Sequence, residues 1–129
     1  MLQLLIDALG DRVDTDPVAL DAARADKSGH RAAAPPIAVV HAESVDDVQA
    51  VMRIATQTRT PVVTRGAGTG LAGAANAGEG EIALSMLRMR AILEINAEDQ
   101  PAVVQPGILN AELNDVLAGH GLWWAPDPA

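Results

Sequence analysis

Apolar residues between positions 2 and 9 recur at the spacing of an amphipathic helix, and Gly10 follows them. This pattern predicts a short helix that ends at the glycine. Asp16-Pro17 is typical of a helix N-cap with proline at the first helical position, so a second short helix is expected to run to about residue 23. The polar residues 25–36 end in Pro35-Pro36 and indicate a loop that enters the next element in extended form.

The next segments predict a strand, a helix and a second strand. Residues 37–40 are apolar and rich in β-branched side chains, which favours a strand. Ser44 stands three residues before Asp47, a capping pattern that predicts a helix over 45–58. A second strand over 62–64 follows, and two strands joined by a packed helix run parallel. We expect the apolar face of the helix to consist of Val45, Val48, Val51, Met52 and Ala55.

The second strand leads into a loop with four glycines in eight residues, 66–73. Glycine has no Cβ, so such a backbone can approach a ligand closely and turn its N–H groups toward an anion. No lysine lies near this loop, which excludes the P-loop pattern. The loop matches the G-x-G-x-x-G pattern of a Rossmann dinucleotide site, with Glu94 placed as the ribose-binding acid. That motif needs a helix inside the glycines, and the glycine-broken segment 74–80 is not expected to form one.

Short apolar runs beyond the loop predict three more strands and a final helix. Residues 81–85 form the first run, and 92–95 and 102–105 flank a turn-like segment, which favours a β-hairpin. Asn110 is placed to cap a helix that ends near residue 118. The residues of this helix that we expect to face inward are Leu113, Val116 and Leu117.

Composition restricts the partners of the chain. It has 129 residues, a formal net charge of −8 and no Cys, Phe or Tyr. The acidic balance argues against a general nucleic-acid or anionic-membrane surface. No run approaches the roughly 20 apolar residues of a membrane span, and the first residues lack a signal peptide's basic region, so the expected location is cytoplasmic. Spacing predicts neither a metal site nor a catalytic set, and of Trp123 and Trp124 we expect one to face inward.

Several blocks of sequence, taken in order, resemble one flavoprotein family. They are Pro61-Val62-Val63 with the glycine loop, Ile82-x-Leu84-Ser85-Met86-x-Arg88-Met89, Val103-Val104-x-Pro106-Gly107 and Ala125-Pro126-Asp127-Pro128. Together they resemble the FAD-linked oxidases of the vanillyl-alcohol oxidase and p-cresol methylhydroxylase (PCMH) type, in particular the branch that contains glycolate oxidase and D-lactate dehydrogenase. The resemblance implies an α+β PCMH-type FAD-binding domain, of which the chain supplies a truncated first subdomain with a short mixed sheet and flanking helices. Residues 1–34 would be a helical lead-in, and 35–129 the N-terminal part of that domain.

The resemblance also implies a cofactor and the residues that bind it. FAD would be held non-covalently, because the glycine loop contains no His, Cys or Tyr for a covalent link. For Arg65, a phosphate or flavin contact and a solvated loop arginine are equal alternatives. The chain departs from the family at Ala72, Ala74 and His41, where relatives often have Ser, Gly and Pro. The implied cofactor-binding residues are Arg65, Gly66, Ala67, Gly68, Thr69, Gly70, Leu71, Gly73, Pro106, Gly107, Pro126, Asp127 and Pro128.

The activity implied by the resemblance is oxidation of a small 2-hydroxy acid, such as glycolate or D-lactate, by hydride transfer to flavin and then to an unknown electron acceptor. The family's second glycine motif and its substrate-binding cap domain are expected beyond residue 129, so this segment alone is expected to be inactive. Two alternatives stay open. One is a non-catalytic binding or interaction module with the same fold, and the other is a Rossmann-type NAD-binding domain.

Overall fold

A computed structural model of the chain describes residues 1–126. The strands and helices lie where the sequence pattern predicts them, to within one residue at each end, except for a 3₁₀ turn at Gly10–Arg12 and the first strand, which no pattern indicated. In chain order the elements are α1 (Leu2–Leu9), β1 (Val13–Asp14), α2 (Pro17–Ala22), β2 (Ala38–His41), α3 (Val45–Thr58), β3 (Val62–Arg65), β4 (Ile82–Ser85), β5 (Ile92–Ile95), β6 (Ala102–Val104) and α4 (Asn110–Ala118).

Four strands form one mixed sheet in the order β1-β2-β4-β3. Both β2 and β3 pair with β4 in parallel, and β1 pairs antiparallel with the other edge of β2. The prediction that β2 and β3 run in the same direction is confirmed, as is the α+β class with a mixed sheet and flanking helices. Because β3 and β4 are parallel neighbours, the chain must return from the end of β3 to the start of β4, and residues 66–81, which include the glycine loop, make this connection.

The two faces of the sheet carry side chains of different size. One face packs against α1 and α3 through aliphatic residues that include Leu5, Val40, Val51, Ile82 and Leu84. On the opposite face, Val39 of β2 and Ala83 of β4 pack in one cluster with Ala23 and Ala77. Small side chains on this second face allow the backbone around residues 23 and 77 to lie close to the strands. These two segments flank the glycine loop.

Helix α3 begins with the predicted cap. Ser44 Oγ accepts a hydrogen bond from the Asp47 N–H at 3.2 Å, and the Asp47 carboxylate accepts one from the Glu43 N–H at 2.9 Å. Reciprocal bonds of this kind satisfy two N–H groups at a helix start that have no partner inside the helix. The predicted cap and the predicted bounds of α3 are therefore both confirmed.

The buried face of α3 is displaced from the predicted one. Val51 and Ala55 are buried as expected, but Val45 and Met52 are 61% and 44% exposed, so the prediction is wrong at these two positions. Ile54 packs against the core instead. Helix α3 packs against α1 as well as against the sheet. The face of α3 that carries Val51, Ile54 and Ala55 therefore lies against the core.

The first 34 residues contribute to the same core as the rest of the chain. Leu5 and Leu9 of α1 are buried among residues of the sheet and α3. The loop after α2 is closed by Arg24, whose Nε and Nη2 donate to the carbonyl oxygens of Ala32 and Ala33 at 2.9 and 3.2 Å. The division of the chain near residue 34 stays a prediction.

The C-terminal part of the described chain is a hairpin followed by a helix. β5 and β6 pair antiparallel, which confirms the predicted hairpin. The predicted cap of α4 is wrong, because Leu109 is the N-cap residue and Asn110 is already helical. Leu113 and Leu117 are buried as expected, whereas Val116 is 44% exposed.

The segment after α4 is extended and lies along that helix. The Trp124 N–H donates to Asn114 Oδ1 at 2.6 Å, and Asn114 Nδ2 donates to Trp124 O at 3.1 Å. Trp123 and Trp124 are 75% and 48% exposed, so neither takes the predicted inward position. None of the helices within residues 1–126 has the length and hydropathy of a membrane-spanning segment.

Candidate functional site

The glycine loop leaves the sheet at the carboxyl end of β3. Arg65 at this end pairs with Ser85 at the end of β4, and Ser85 pairs with His41 at the end of β2. Three parallel strands therefore end at one edge, which is where open α/β sheets bind ligands. No residue from 66 to 81 is helical, so the Rossmann alternative is wrong, because that motif places its pyrophosphate at a helix N-terminus.

The backbone N–H groups of the loop are available to a ligand. From Gly66 to Ala72, no backbone N–H donates a hydrogen bond to another group of residues 1–126. A cavity of about 400 Å³ runs beside them, lined by Asp26, residues 64–72, Ala74 and Ala75. Successive unpaired N–H groups beside a cavity are the arrangement that binds anions.

Two glycines of the loop are explained by different causes. Gly68 has a φ of 72°, and a Cβ added there would lie 2.6 Å from Arg65 Nη2. Both its backbone conformation and its packing therefore require glycine. At Gly66 the φ lies outside the left-handed region, and an added Cβ would meet no atom within 4 Å. The fold itself leaves room for a side chain at Gly66, and the absence of one suits close approach of a ligand to the backbone.

The Arg65 side chain is directed at the protein backbone. Its Nη1 donates to the carbonyl oxygens of Ala23 and Ala75, each at 2.9 Å, and its Nη2 donates to Ala25 O at 3.2 Å. Burial lowers the pKa of Arg65, and the nearby Asp26 carboxylate acts in the opposite direction. The alternative of a solvated loop arginine is wrong, because the guanidinium is bonded to three carbonyl groups. A contact with phosphate or flavin stays a prediction.

Asp26 lines the same cavity, although the sequence pattern did not place it among the binding residues. The Ser28 hydroxyl and then the Ser28 N–H, 2.9 Å from Asp26 Oδ1, lower the pKa of Asp26, and burial opposes them. Asp26 Oδ2 is buried and has no hydrogen-bond partner in the described residues. The backbone amides of Gly73 and Ala75 also lower this pKa.

The position of Asp26 depends on contacts between distant parts of the chain. The Lys27 N–H donates to Gly70 O at 2.9 Å, which ties the segment after α2 to the middle of the loop. A Cβ added to Gly70 would lie 3.5 Å from Asp26 Oδ2. The only local signal is the turn in which Asp26 accepts from Ser28, and such a turn does not reveal what it faces.

The remaining loop residues occupy two positions. Ala67, Thr69, Gly70 and Leu71 line the cavity with the residues already described. Gly73 lies at the far end, where its carbonyl oxygen accepts a hydrogen bond from the Asn76 N–H at 3.2 Å. The structure thus brings most of the predicted loop residues to one cavity, while their contact with a cofactor stays a prediction.

Neither Pro106 nor Gly107 lines the loop cavity. Gly107 is buried, and its N–H donates to Met89 O at 2.8 Å. A Cβ added to Gly107 would lie 1.8 Å from Met86 O and 2.9 Å from Met89 O. Close packing against this backbone turn is sufficient reason for glycine. The predicted flavin contact of both residues is not tested by these distances.

The last predicted segment is only partly described. Pro126 lies beside the start of α4, where its carbonyl oxygen accepts a hydrogen bond from Asn110 Nδ2 at 3.1 Å. Asp127 and Pro128 lie outside the described residues. Pro126 does not line the loop cavity. Its predicted role at the flavin therefore stays a prediction.

His41 stands beside the first residues of the loop. It lines a second cavity, of about 210 Å³, together with Arg65, Gly66 and Ala67. Its Nε2 lies 3.2 Å from Asp14 Oδ2, which orients the ring toward β1. Within the described part of the chain, no three His, Asp or Glu residues are grouped so that they could hold a metal ion.

Comparison with curated proteins identifies similar sequences. Glycolate oxidase subunit GlcD of Escherichia coli K12 is 43% identical over 94 residues, which are 73% of this chain and 19% of GlcD. A probable mitochondrial D-lactate dehydrogenase of Danio rerio is 37% identical over 80% of this chain and 20% of its own length. The D-2-hydroxyglutarate dehydrogenase of Stutzerimonas stutzeri is 39% identical over 90% of this chain and 25% of its own length. The chain therefore spans about a fifth to a quarter of these relatives.

Structural and family comparisons agree with the sequence matches. The crystal structure of p-cresol methylhydroxylase with substrate bound superposes with a TM-score of 0.79 at 28% identity, over 94% of this chain and 24% of that one. A family model described as FAD binding domain matches residues 36–129. The resemblance drawn from the sequence is confirmed by both. The chain thus belongs to the FAD binding domain family, has the PCMH-type fold, and uses FAD as its cofactor.

Proposed function

We propose that the glycine loop holds the pyrophosphate of FAD through its backbone N–H groups. The observation that carries this proposal is the run of N–H groups from Gly66 to Ala72 that have no acceptor within residues 1–126. Backbone N–H groups are strong donors, and a ligand that covered the loop would have to supply acceptor oxygens to satisfy them. FAD carries such oxygens on its two phosphates.

The loop also fits FAD in shape and charge. The cavity beside it measures about 400 Å³ and is lined in part by Gly66, where an added Cβ would meet no protein atom within 4 Å. The positive charge of Arg65 lies at the start of the loop and favours an anion there. The unpartnered Asp26 Oδ2 is a hydrogen-bond acceptor, so a hydroxyl or amino group of the cofactor suits that wall better than a phosphate does.

We infer that residues 1–129 hold FAD non-covalently. They contain no Cys or Tyr, and the loop 65–73 contains no His. After denaturation and proteolysis of the intact protein, peptides from residues 1–129 should therefore carry no flavin. Flavin attached to one of these peptides would contradict this inference, and His41 in the adjoining cavity would then be the first residue to substitute.

We further propose that the intact protein oxidises a small 2-hydroxy acid and passes the electrons to a separate acceptor. Support comes from the three relatives, which are named for glycolate, D-lactate and D-2-hydroxyglutarate, because each of these compounds carries a hydroxyl group next to a carboxylate. Bound FAD supplies the two-electron chemistry that such an oxidation needs. The described residues bind and orient the cofactor in this proposal, and we assign none of them to the substrate.

One experiment tests the cofactor and the activity separately. The intact protein is purified without added flavin, and the released cofactor is identified by mass and absorbance. Glycolate, D-lactate and D-2-hydroxyglutarate are then added in turn under anaerobic conditions, and loss of the oxidised flavin spectrum is followed. Absence of FAD would overturn the loop assignment. FAD without reduction by any 2-hydroxy acid would instead favour the alternative of a binding module that has kept the fold.

A further inference from the structure

The Arg65 guanidinium connects three backbone segments around the glycine loop. Ala23 follows α2, Ala25 lies two residues further on, and Ala75 closes the loop. Their carbonyl oxygens accept hydrogen bonds from Nη1 and Nη2 at 2.9 to 3.2 Å. A guanidinium is planar and presents its N–H donors in fixed directions, so one side chain can hold three carbonyl groups in a defined arrangement.

Other hydrogen bonds in the same region share these partners. Ala23 O accepts from the Ala77 N–H at 2.9 Å as well as from Arg65. The Lys27 N–H donates to Gly70 O at 2.9 Å. The segment 23–27 is thereby fixed both to the end of the loop and to its middle, with Arg65 between the two attachments. Without the guanidinium, the hydrogen bonds that join Ala23, Ala25 and Ala75 through Arg65 would be lost.

The commitment of Arg65 to the backbone leaves it poorly placed to act as a ligand. Nη1 has two N–H groups, and both are used by Ala23 and Ala75. Nη2 is packed so closely under Gly68 that a Cβ there would lie 2.6 Å away. The Asp26 carboxylate partly balances the charge of Arg65. These contacts account for most of what the guanidinium can offer without any phosphate.

We propose that Arg65 is a positioning residue that holds the glycine loop in its FAD-binding conformation and does not itself bind the pyrophosphate. This inference rests on the proposed function of the loop. The sequence resemblance implies that Arg65 contacts the cofactor. In this proposal Arg65 instead supports the loop through its hydrogen bonds to backbone carbonyl groups. The free N–H groups of 66–72 bind the anion, and Arg65 determines where they lie.

The first test uses the intact protein without FAD, so it does not depend on cofactor binding. Hydrogen exchange is compared between wild type and Arg65→Gln. If Arg65 fixes segment 23–27 to the glycine loop, the Lys27 and Ala77 amides lose their protection against exchange in the variant. The amides of β4 keep their protection and show that the fold is intact. Unchanged protection at Lys27 and Ala77 would overturn the proposal.

The second test compares FAD dissociation constants for Arg65→Gln and Arg65→Lys. A lysine keeps the charge and can contact a phosphate, but it cannot reach three carbonyl groups in the fork geometry. A positioning role predicts that both variants bind FAD about 10- to 100-fold more weakly, by analogy with the loss seen when residues that orient metal ligands are removed. Near-normal affinity in Arg65→Lys would show a direct contact instead and would overturn the proposal.

The control variant is Arg53→Gln, an arginine on the exposed surface of α3. It removes the same charge at a position outside the loop cavity, so its dissociation constant should equal that of wild type. Failure of wild type to bind FAD would contradict the proposed function, whereas the exchange data on the cofactor-free protein would still test Arg65 by itself.

Discussion

The glycine loop and the turn at 106–107 are both glycine-containing segments that the family resemblance places at the flavin, yet their surroundings are opposite. A Cβ at Gly66 would meet no atom within 4 Å, whereas one at Gly107 would overlap Met86 O at 1.8 Å. In the loop the missing side chain leaves space and unpaired N–H groups. At the turn it lets two backbone segments touch. The same residue type thus leaves open space in one region and permits close backbone packing in the other.

The largest effect is expected for Gly107→Ala. The added Cβ would overlap backbone atoms of Met86 and Met89, which cannot rotate away as a side chain can. We expect a loss of about 4 kcal/mol or more in the free energy of unfolding, measured by urea denaturation, which is the range of severe steric changes. The matched control is Gly119→Ala, because Gly119 has a φ of −65° and a ψ of −16° that alanine adopts readily. Equal stability of these two variants would contradict the packing role.

An intermediate effect is expected for Gly68→Ala. Alanine in the left-handed region is destabilised by about 1–2 kcal/mol, and the new methyl group would also displace the Arg65 guanidinium. Both unfolding stability and FAD affinity should therefore fall. Gly121→Ala is the control, since its φ is 69° and its added Cβ meets nothing within 4 Å. If Gly121→Ala lowered FAD affinity as much, the contact with Arg65 would not be the cause.

A small effect on stability, but a clear one on the cofactor, is expected for Gly66→Ala. The backbone and surroundings accept a methyl group, so the unfolding free energy without FAD should stay within about 0.5 kcal/mol of wild type. The methyl group would occupy space beside the loop and weaken FAD binding about tenfold or more, which is roughly 1.4 kcal/mol. Calorimetric titration measures this change. Wild-type affinity in Gly66→Ala would show that FAD does not approach this residue.

The smallest effect concerns pH and Asp26. Hydrogen bonds from Ser28 lower the pKa of Asp26 below its ordinary value of 3.8 in the folded protein. Such a group stabilises the fold above pH 3.8, and the contribution disappears as the pH falls through the lower folded-state pKa. Asn at this position does not titrate, so the stability difference between wild type and Asp26→Asn should narrow in acid. Parallel stability curves down to low pH would contradict the lowered pKa.

Local patterns predicted the elements well because their causes are local. The cap of α3 needs only Ser44 and Asp47, and the hairpin needs two apolar runs with a turn between them. The absence of a helix after the loop also follows from local composition, since glycines at 78 and 80 disfavour it. This feature is enough to distinguish the present fold from a Rossmann domain without any knowledge of tertiary contacts.

Contacts between distant segments explain the predictions that were wrong. Val45 and Met52 lie on a face of α3 that the sheet and α1 leave exposed, and periodicity alone does not show which row meets a partner. Asn110 does not cap α4, and its Nδ2 donates instead to Pro126 O, 16 residues away. Both Trp residues are exposed because the extended segment lies along α4, with its backbone bonded to Asn114.

The sequence by itself determined that the chain would form a strand, a helix, a second strand and a non-helical glycine loop, and the order of these motifs identified the family. Only the tertiary structure decided what surrounds each glycine and what Arg65 and Asp26 contact. Arg65 bonds to carbonyl groups 10 to 42 residues away in the chain, and no local pattern encodes such partners. Folding brings these segments together on the small-residue face of the sheet, and that arrangement leaves the N–H groups of residues 66–72 free for a ligand.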